Sequence, residues 1–383
     1  MYGGSLTKQR LVVLGSTGSI GRQTLDIVKT FPDKFELIGL AAGKNYDLLE
    51  SQIEEFQPKS VYCIEAPPSI IKNKNIQLLS MEQMVCQPNV DIVMVATSGN
   101  SGLIPTIKAL EKGITVCIAN KEVIIMAGDL IKAISKRSGA LLLPVDSEPS
   151  AIWQCLQGES QPIRRIILTA SGGPFYNMNP AKLGNVTPKQ ALQHPTWNMG
   201  NRITVDSSTL MNKGFEVIEA HILFDVEFEN IEVMIHPQSL IHSMVELRDG
   251  SIKAQISPPD MRLPIQHALF YPEKVQNPRL RTFDTGVATN MELKPLDEAQ
   301  YPCFTLAVSA GIKGGTHPTV LTAADEIAVD LFLNHHISFT DIPELVNSVL
   351  LNHKFSKADS LENIQAADKW ARLQTLSLAG MSQ

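Results

Sequence analysis

The chain reads as an α/β protein with an N-terminal doubly wound sheet of the Rossmann type, a central α+β catalytic domain and a C-terminal helical domain. Three features carry this reading. Apolar strands alternate with helical stretches through the first third, a glycine-rich turn follows the first strand, and helical periodicity dominates the last ninety or so residues. At 383 residues, 44% hydrophobic and 19% charged, the chain is too long for one small domain and too apolar for disorder.

Candidate strands lie at 10–14, 35–41, 60–64, 91–96, 115–119 and 140–145, with helical spacing between most of them, as at 23–31 and 103–112. Six strands alternating with helices predict a parallel sheet of the dinucleotide-binding kind. The texture changes after Glu148. A helix at 151–156 leads to a strand at 165–169, then to a polar stretch, 171–201, long enough to be functional. A helix at 208–224 follows. Strands at 243–247 and 251–256 are joined by Asp249-Gly250, a strong hairpin signal, and this sheet is the candidate dimer surface. The Pro-, Asn- and Thr-rich stretch 271–295 reads as a linker. Helices are expected at 319–333, 342–351 and 360–376.

Bulk properties exclude several classes. The net charge of −6 speaks against a nucleic-acid surface. Five scattered cysteines, with no CxxC pair, indicate neither a zinc site nor a disulfide framework and fit a reducing cytoplasm. Residues 1–10 lack the apolar centre of a signal peptide, and no run is long enough to span a bilayer.

The turn Gly15-Ser16-Thr17-Gly18-Ser19-Ile20-Gly21 has GxxGxxG spacing. Its glycines permit a tight turn and close backbone approach, and the amides of the following helix can meet a pyrophosphate. A purely structural glycine turn is the competing reading. Where an acidic residue would accept the ribose hydroxyls of NAD, the chain has Gly43-Lys44-Asn45. Lys44 suits a 2′-phosphate, so NADPH is the expected cofactor.

In Leu143-Pro144-Val145-Asp146-Ser147-Glu148, two carboxylates stand two apart at the end of an apolar run. On a strand they share one face, where they repel unless a proton or cation intervenes. Oxygen ligands suit Mg2+ or Mn2+, with Co2+ a further candidate. The plain alternative is a polar strand end capping a helix near Pro149.

The segment 206–216, DSSTLMNKGFE, places Thr209, Asn212, Lys213 and Glu216 on one helical face. Lys213, Ser207 and Asn212 suit a dianionic phosphate, and Glu216 is a third carboxylate for the metal. By spacing alone, a solvated helix face is the commoner outcome. Lys121, within Asn120-Lys121-Glu122, ends the fifth strand where such folds bind ligands. Ser171, in Ser171-Gly172-Gly173, exposes groups able to hold an anion. His194 is a candidate ligand contact, and His242 reads as structural. Trp197 and Met199 suit a lid.

Taken together and in this order, GSTGSIG at Gly15, AGKN at Ala42, ANKE at Ala119, PVDSE at Pro144, SGGPF at Ser171, HPTWNMG at His194, DSSTLMNKGFE at Asp206 and HPQSLIHSMV at His236 resemble the 1-deoxy-D-xylulose 5-phosphate reductoisomerase family. The likeness runs from Leu11 into the C-terminal helices. It implies an NADPH-binding domain at 1–148, a catalytic and dimerisation domain at 149–270, a linker at 271–296 and a helical domain at 297–383. By resemblance, Thr17, Gly18, Ser19, Ile20, Gly43, Lys44, Asn45, Asn120, Glu122 and Gly200 contact NADPH. Asp146, Glu148 and Glu216 hold the divalent ion. Lys121, Ser147, Glu148 and His194 are the catalytic candidates, and Ser171, Trp197, Ser207, Asn212, Lys213 and Met261 meet a sugar phosphate. A homodimer is implied.

Two stretches depart from the family pattern. Pro149-Ser150 stands where His-Asn is usual, and Thr322 and Asp325 stand where Asn is common. Two other functions compete: a metal-independent NADP-dependent dehydrogenase, and a non-catalytic NADPH-sensing regulator.

Overall fold

The computed structural model describes residues 8–65, 67, 70, 75–197, 199–287 and 289–381. Strand β1 (Gln9–Leu14) buries its last four residues on both faces, as a central strand between layers of helices must. It pairs in parallel with β2 (Phe35–Ala41) on one side and β5 (Ile92–Val95) on the other. With β3 (Ser60–Tyr62), β4 (Gln77–Leu78), β6 (Thr115–Ile118) and β7 (Leu142–Pro144), they form a seven-stranded sheet in the order β4-β3-β2-β1-β5-β6-β7. The order reverses at β1, the crevice where doubly wound sheets bind ligands. The six expected strands are present, and the two-residue β4, too short to show periodicity, is the seventh.

Helix α1 (Ser19–Thr30) leaves the glycine turn and buries Leu25, Ile27 and Val28. Helices α2 (Tyr46–Phe56), α3 (Met81–Val85) and α4 (Leu103–Glu111) connect later strands. Helix α5 (Lys121–Ser138) is broken at Ala127, whose φ of −139° is not helical.

The chain divides into two compact units. The first comprises Met1–Asn120, Ile131–Asp146 and Asp260–Leu280; the second comprises Lys121–Leu130, Ser147–Pro259 and Arg281–Gln383. This differs from the division expected at 149–270 and 271–296. Residues 260–280, read as the end of one domain and the start of a linker, belong to the first unit. Their helix α10 (Arg262–Phe270) sets Phe270 edge-on to Phe31 and Phe35, with ring centres 4.9 and 5.1 Å away. Arg262 pairs with Asp26 at 3.1 Å. The rest of the expected linker is not all irregular either, since β12 (Lys294–Pro295) pairs with a strand of the second sheet.

The second unit holds a five-stranded sheet in the order β11-β10-β8-β9-β12. Strands β8 (Ile163–Ala170), β10 (Ile241–Leu247) and β11 (Ile252–Ile256) are antiparallel neighbours, whereas β9 (Ile231–Ile235) runs parallel to β8. The expected hairpin is present. Helix α6 (Ser147–Leu156) starts four residues before the expected 151. The polar stretch 171–201 is not wholly irregular, because it contains a 3-10 turn (Pro180–Asn185) and the one-turn helix α7 (Pro188–Ala191).

The single helix expected at 208–224 is two helices, α8 (Asn201–Thr209) and α9 (Met211–Phe224), separated by Leu210 in the left-handed region at φ 54°. One face of α9 packs Val217 and Ala220 with Ile166, Leu168 and Val245 of the sheet. The other packs Phe215 and Ile218 with Ala307 and Ala310 of α11 (Pro302–Lys313), a helix not anticipated from sequence. A Cβ on Gly214 would come within 2.4 Å of the Ala307 Cβ, so a glycine is needed for this approach. Helices α12 (His317–Leu333), α13 (Asp341–Asn352) and α14 (Leu361–Leu378) complete the unit near the expected positions.

Candidate active site

The first unit supplies a backbone-built site. Gly15 and Ser16 both donate their amides to Ala41 O at 2.8 Å, and Gly18 donates to Gly15 O at 3.0 Å. Gly15 has φ +87°, and a Cβ there would come within 2.3 Å of Ala96 O. A Cβ on Gly21 would lie 2.2 Å from Gly15 O. No side chain caps the N-terminus of α1, so its positive end is left to whatever the turn cradles. Gly43, Lys44 and Asn45 are exposed beyond β2, and Asn45 also caps α2 by accepting from Leu48 N at 3.3 Å. Asn120 is buried and donates to Thr97 Oγ1 and Gly99 O at 3.1 and 3.0 Å, so it fixes the neighbouring loop.

In the second unit, Glu148 and Glu216 meet two ammonium groups, and Asp146, two residues before Glu148, is the last residue of the preceding segment of the first unit. Asp146, Glu148 and Glu216 each bring an oxygen within 4.8 Å of the others. Asp146 is two residues from Glu148, so the chain itself carries it there. The route differs from the sequence reading: Glu148 lies in the first turn of α6, not on the strand, and the pair meets across a strand–helix junction. Asn212, Lys213 and Glu216 share a face of α9 as expected, but Thr209 does not belong to it. Its hydroxyl closes the preceding helix, donating to Asp206 O and accepting from Met211 N, both at 3.2 Å.

Lys213 Nζ donates to Glu148 Oε1 at 2.8 Å, to Thr169 O at 2.6 Å and to Glu216 Oε2. Lys121 Nζ donates to Asn212 Oδ1 at 2.6 Å and to Glu216 Oε1 at 3.3 Å, and Asn212 donates to that same oxygen at 2.5 Å. Ser147 Oγ donates to Glu148 Oε2 at 2.7 Å. Burial pushes the Glu148 carboxyl up, but the Lys213 and Lys121 charges prevail and bring it down to about 2. Burial lowers Lys213, and Glu148 and Glu216 more than offset this, holding it above the ordinary lysine value. Three carboxylates against two ammoniums leave one negative charge uncompensated. An all-oxygen set of this size and sign fits a hard divalent cation. With that cation bound, the cluster turns net positive and suits an anionic substrate.

A second constellation lies in the same unit. His194 Nε2 is 3.0 Å from Ser171 Oγ and 3.1 Å from Ser207 Oγ, while its Nδ1 accepts from Trp197 N at 2.9 Å. With Nδ1 accepting, the proton of the neutral ring sits on Nε2, directed at the serines. Burial pulls His194 down to about 4, so the ring is neutral near pH 7. The Trp197 ring stands edge-on to His242 at 6.0 Å, and His242 Nε2 meets Ser257 O at 3.1 Å, the structural role expected of it. Gly200 caps α8, and Met261 immediately precedes α10.

Sequence reasoning missed Arg202. Its guanidinium pairs with Glu122 at 3.2 Å and Glu326 at 3.0 Å and lies near Asp206 and Asp325, at 3.8 and 3.6 Å. Glu122, expected at the cofactor, is thus engaged by Arg202. No spacing rule links residues 122, 202 and 325, which meet only in the folded unit.

A Rossmann-type sheet with a bare glycine turn, together with a carboxylate–lysine cluster, defines a nucleotide-dependent enzyme with a hard-metal site. The chain belongs to the 1-deoxy-D-xylulose 5-phosphate reductoisomerase family. Models of that family match residues 11–128 and, as its C-terminal domains, 142–224 and 256–374. The Thermodesulfovibrio yellowstonii reductoisomerase is 46% identical over 372 residues, covering 95% of this chain and 97% of that protein. The Thermomicrobium roseum enzyme is 47% identical, covering 96% and 97%. Among solved structures, the Zymomonas mobilis reductoisomerase in complex with NADPH has a TM-score of 0.88 at 38% identity, covering 97% of this chain and 99% of that one. A DOX-P reductoisomerase in complex with NADPH, fosmidomycin and magnesium has a TM-score of 0.92 at 34% identity, covering 97% and 98%.

Proposed function

We propose that this chain converts 1-deoxy-D-xylulose 5-phosphate and NADPH, with one proton, into 2-C-methyl-D-erythritol 4-phosphate and NADP+, a step of the non-mevalonate route to isoprenoid precursors. The observation that carries the reading is the meeting of Asp146, Glu148 and Glu216 beside Lys121 and Lys213 in a chain of this family. When bound, the divalent cation supplies Lewis acidity toward the ketose carbonyl and NADPH supplies the hydride.

The chain's own residues do the rest. The turn Thr17, Gly18, Ser19 and Ile20 presents backbone to the cofactor pyrophosphate, and Lys44 meets its 2′-phosphate; Gly43, Asn45, Asn120, Glu122 and Gly200 complete the proposed cofactor contacts. Asp146, Glu148 and Glu216 hold the cation. Ser171, His194, Ser207 and Asn212 take the phosphoryl group, with Lys213 adding charge. Trp197 and Met261 wall the substrate. Lys121, Ser147 and Glu148 are the groups placed to move protons, as one carbon–carbon bond breaks and another forms by retro-aldol cleavage and re-joining. Binding energy from the remote phosphate orients the reacting carbons.

A homodimer fits the outer strand β11, which exposes Ile252 and Ile256 at 52% and 44%. Light scattering giving twice the chain mass is the expected result. Among the described residues, no helix is long and apolar enough to cross a membrane. One assay tests the activity: protein, Mg2+, NADPH and 1-deoxy-D-xylulose 5-phosphate should consume NADPH, and a chelator should stop it. Oxidation that persists with chelator would favour a metal-independent dehydrogenase; none under any condition would favour a sensing role.

A further inference from the structure

Around Arg202 the charges do not balance. Four carboxylates face it: Glu122 from α5, Asp206 from α8, and Asp325 and Glu326 from α12. The guanidinium's close contacts go to Glu122 and Glu326, and a further N–H donates to Thr322 O at 3.3 Å. Glu326 has a second cation in Arg372 of α14, at 2.9 Å, which also holds Asp368 at 3.0 Å. Asp206 and Asp325 are left at 3.8 and 3.6 Å from Arg202, too far for a hydrogen bond.

Both aspartates are buried, Asp325 at 0% and Asp206 at 4% exposure. Asp206 Oδ1 and both oxygens of Asp325 meet no donor among the described residues. The two carboxyls interact directly with each other, and the Cys303 thiol of α11 faces both; Thr209 meets that thiol, and Asp330, further along α12, lies near Arg202 and Glu326. Two ionised carboxylates cannot bond; one shared proton turns the clash into a strong O–H···O bond that engages one oxygen of each carboxyl. Burial and the neighbouring negative charges hold both groups above the ordinary aspartate value.

The consequence falls on α8. Asp206 is followed by Ser207, whose hydroxyl meets His194, and by Ser208, which donates to Ala191 O at 3.1 Å. We propose that Asp206 and Asp325 share a single proton, and that this carboxylic acid–carboxylate bond fixes α8 to α12 so that Ser207 and His194 are set to receive a phosphoryl group. Asp325 is then a positioning residue that makes phosphate binding sensitive to pH. The inference rests on Ser207 and His194 being phosphate contacts.

The sign follows from linkage. Groups raised on folding give stability that is complete below the ordinary aspartate range and is lost as the pH rises through their raised values. In Asp325→Asn the amide N–H donates to Asp206 without a titrating proton. Infrared spectra of the parent should show a protonated-carboxyl carbonyl stretch at neutral pH that Asp325→Asn lacks. From about pH 6 to about pH 9, the parent's thermal midpoint should fall relative to the variant's by roughly 2–4 °C. Over the same range, its inorganic phosphate Kd should rise relative to the variant's by roughly tenfold; taking this ratio cancels the titration of phosphate itself. Should Asp325→Asn fail to fold, Asp206→Asn removes the same charge and should give the same three results. Identical infrared spectra with parallel midpoint curves would overturn the shared proton. A lost carbonyl band with an unchanged phosphate ratio would overturn the positioning role. If neither protein binds phosphate at any pH, the phosphate-contact reading fails and the positioning role with it, whereas the infrared and midpoint results still decide the shared proton.

Discussion

The two candidate sites are built from different material. The turn between β1 and α1 is made of backbone: glycines at 15 and 21 are required because a Cβ would strike Ala96 O or Gly15 O, and the useful groups are amides. The metal-ligand cluster is made of side chains drawn from α5, α6, α9 and Asp146, two residues past the end of β7, whose charges sit where Lys121 and Lys213 hold them. A backbone site depends on conformation and tolerates varied side chains. A side-chain site depends on charge count, and losing one member leaves its buried partners uncompensated.

Three substitutions sharpen this contrast. Glu216→Gln should have the largest effect. It removes one carboxylate from the metal set and leaves one acceptor oxygen where the two lysines had two, and steady-state kinetics should show kcat/KM reduced about a thousandfold or more. NADPH binding, measured by fluorescence titration, should survive; unchanged turnover at saturating Mg2+ would remove Glu216 from the metal set. Gly21→Ala comes next and should do the reverse. Forcing a Cβ against Gly15 O costs about 1–3 kcal/mol, and NADPH affinity should drop roughly tenfold or more. If the affinity stays at the parent value, the turn is not the pyrophosphate cradle. Lys44→Asp is the mildest, weakening NADPH roughly tenfold while leaving NADH nearly untouched. Equal loss for both cofactors would break the assignment of Lys44 to the 2′-phosphate.

The same contrast explains what could be read in advance. The glycine turn was legible because its requirement is local: strand, turn and helix are contiguous, and residues 35–41 coincide with the observed β2. The three carboxylates were legible as residue types, but their route to one another was not. Glu148 sits on a helix, since the chain enters α6 directly at Ser147. The break at Leu210 was invisible because leucine at φ 54° violates the local preference. Burial of Leu210 among Ile166, Val217 and Phe304 holds it there, and that is a tertiary effect. Arg202 and the return of residues 260–280 to the first unit likewise rest on contacts between distant parts of the chain, which no window of sequence contains.

That return bears on biosynthesis. During translation, β1 to β7 emerge early, yet Phe31 and Phe35 have no Phe270 to pack against until well over a hundred further residues have been made. The N-terminal sheet must therefore wait on the ribosome with an apolar patch uncovered, a window in which chaperone capture or misassembly competes with completion. A gene fragment ending after β7 would freeze the nascent protein in that unfinished state.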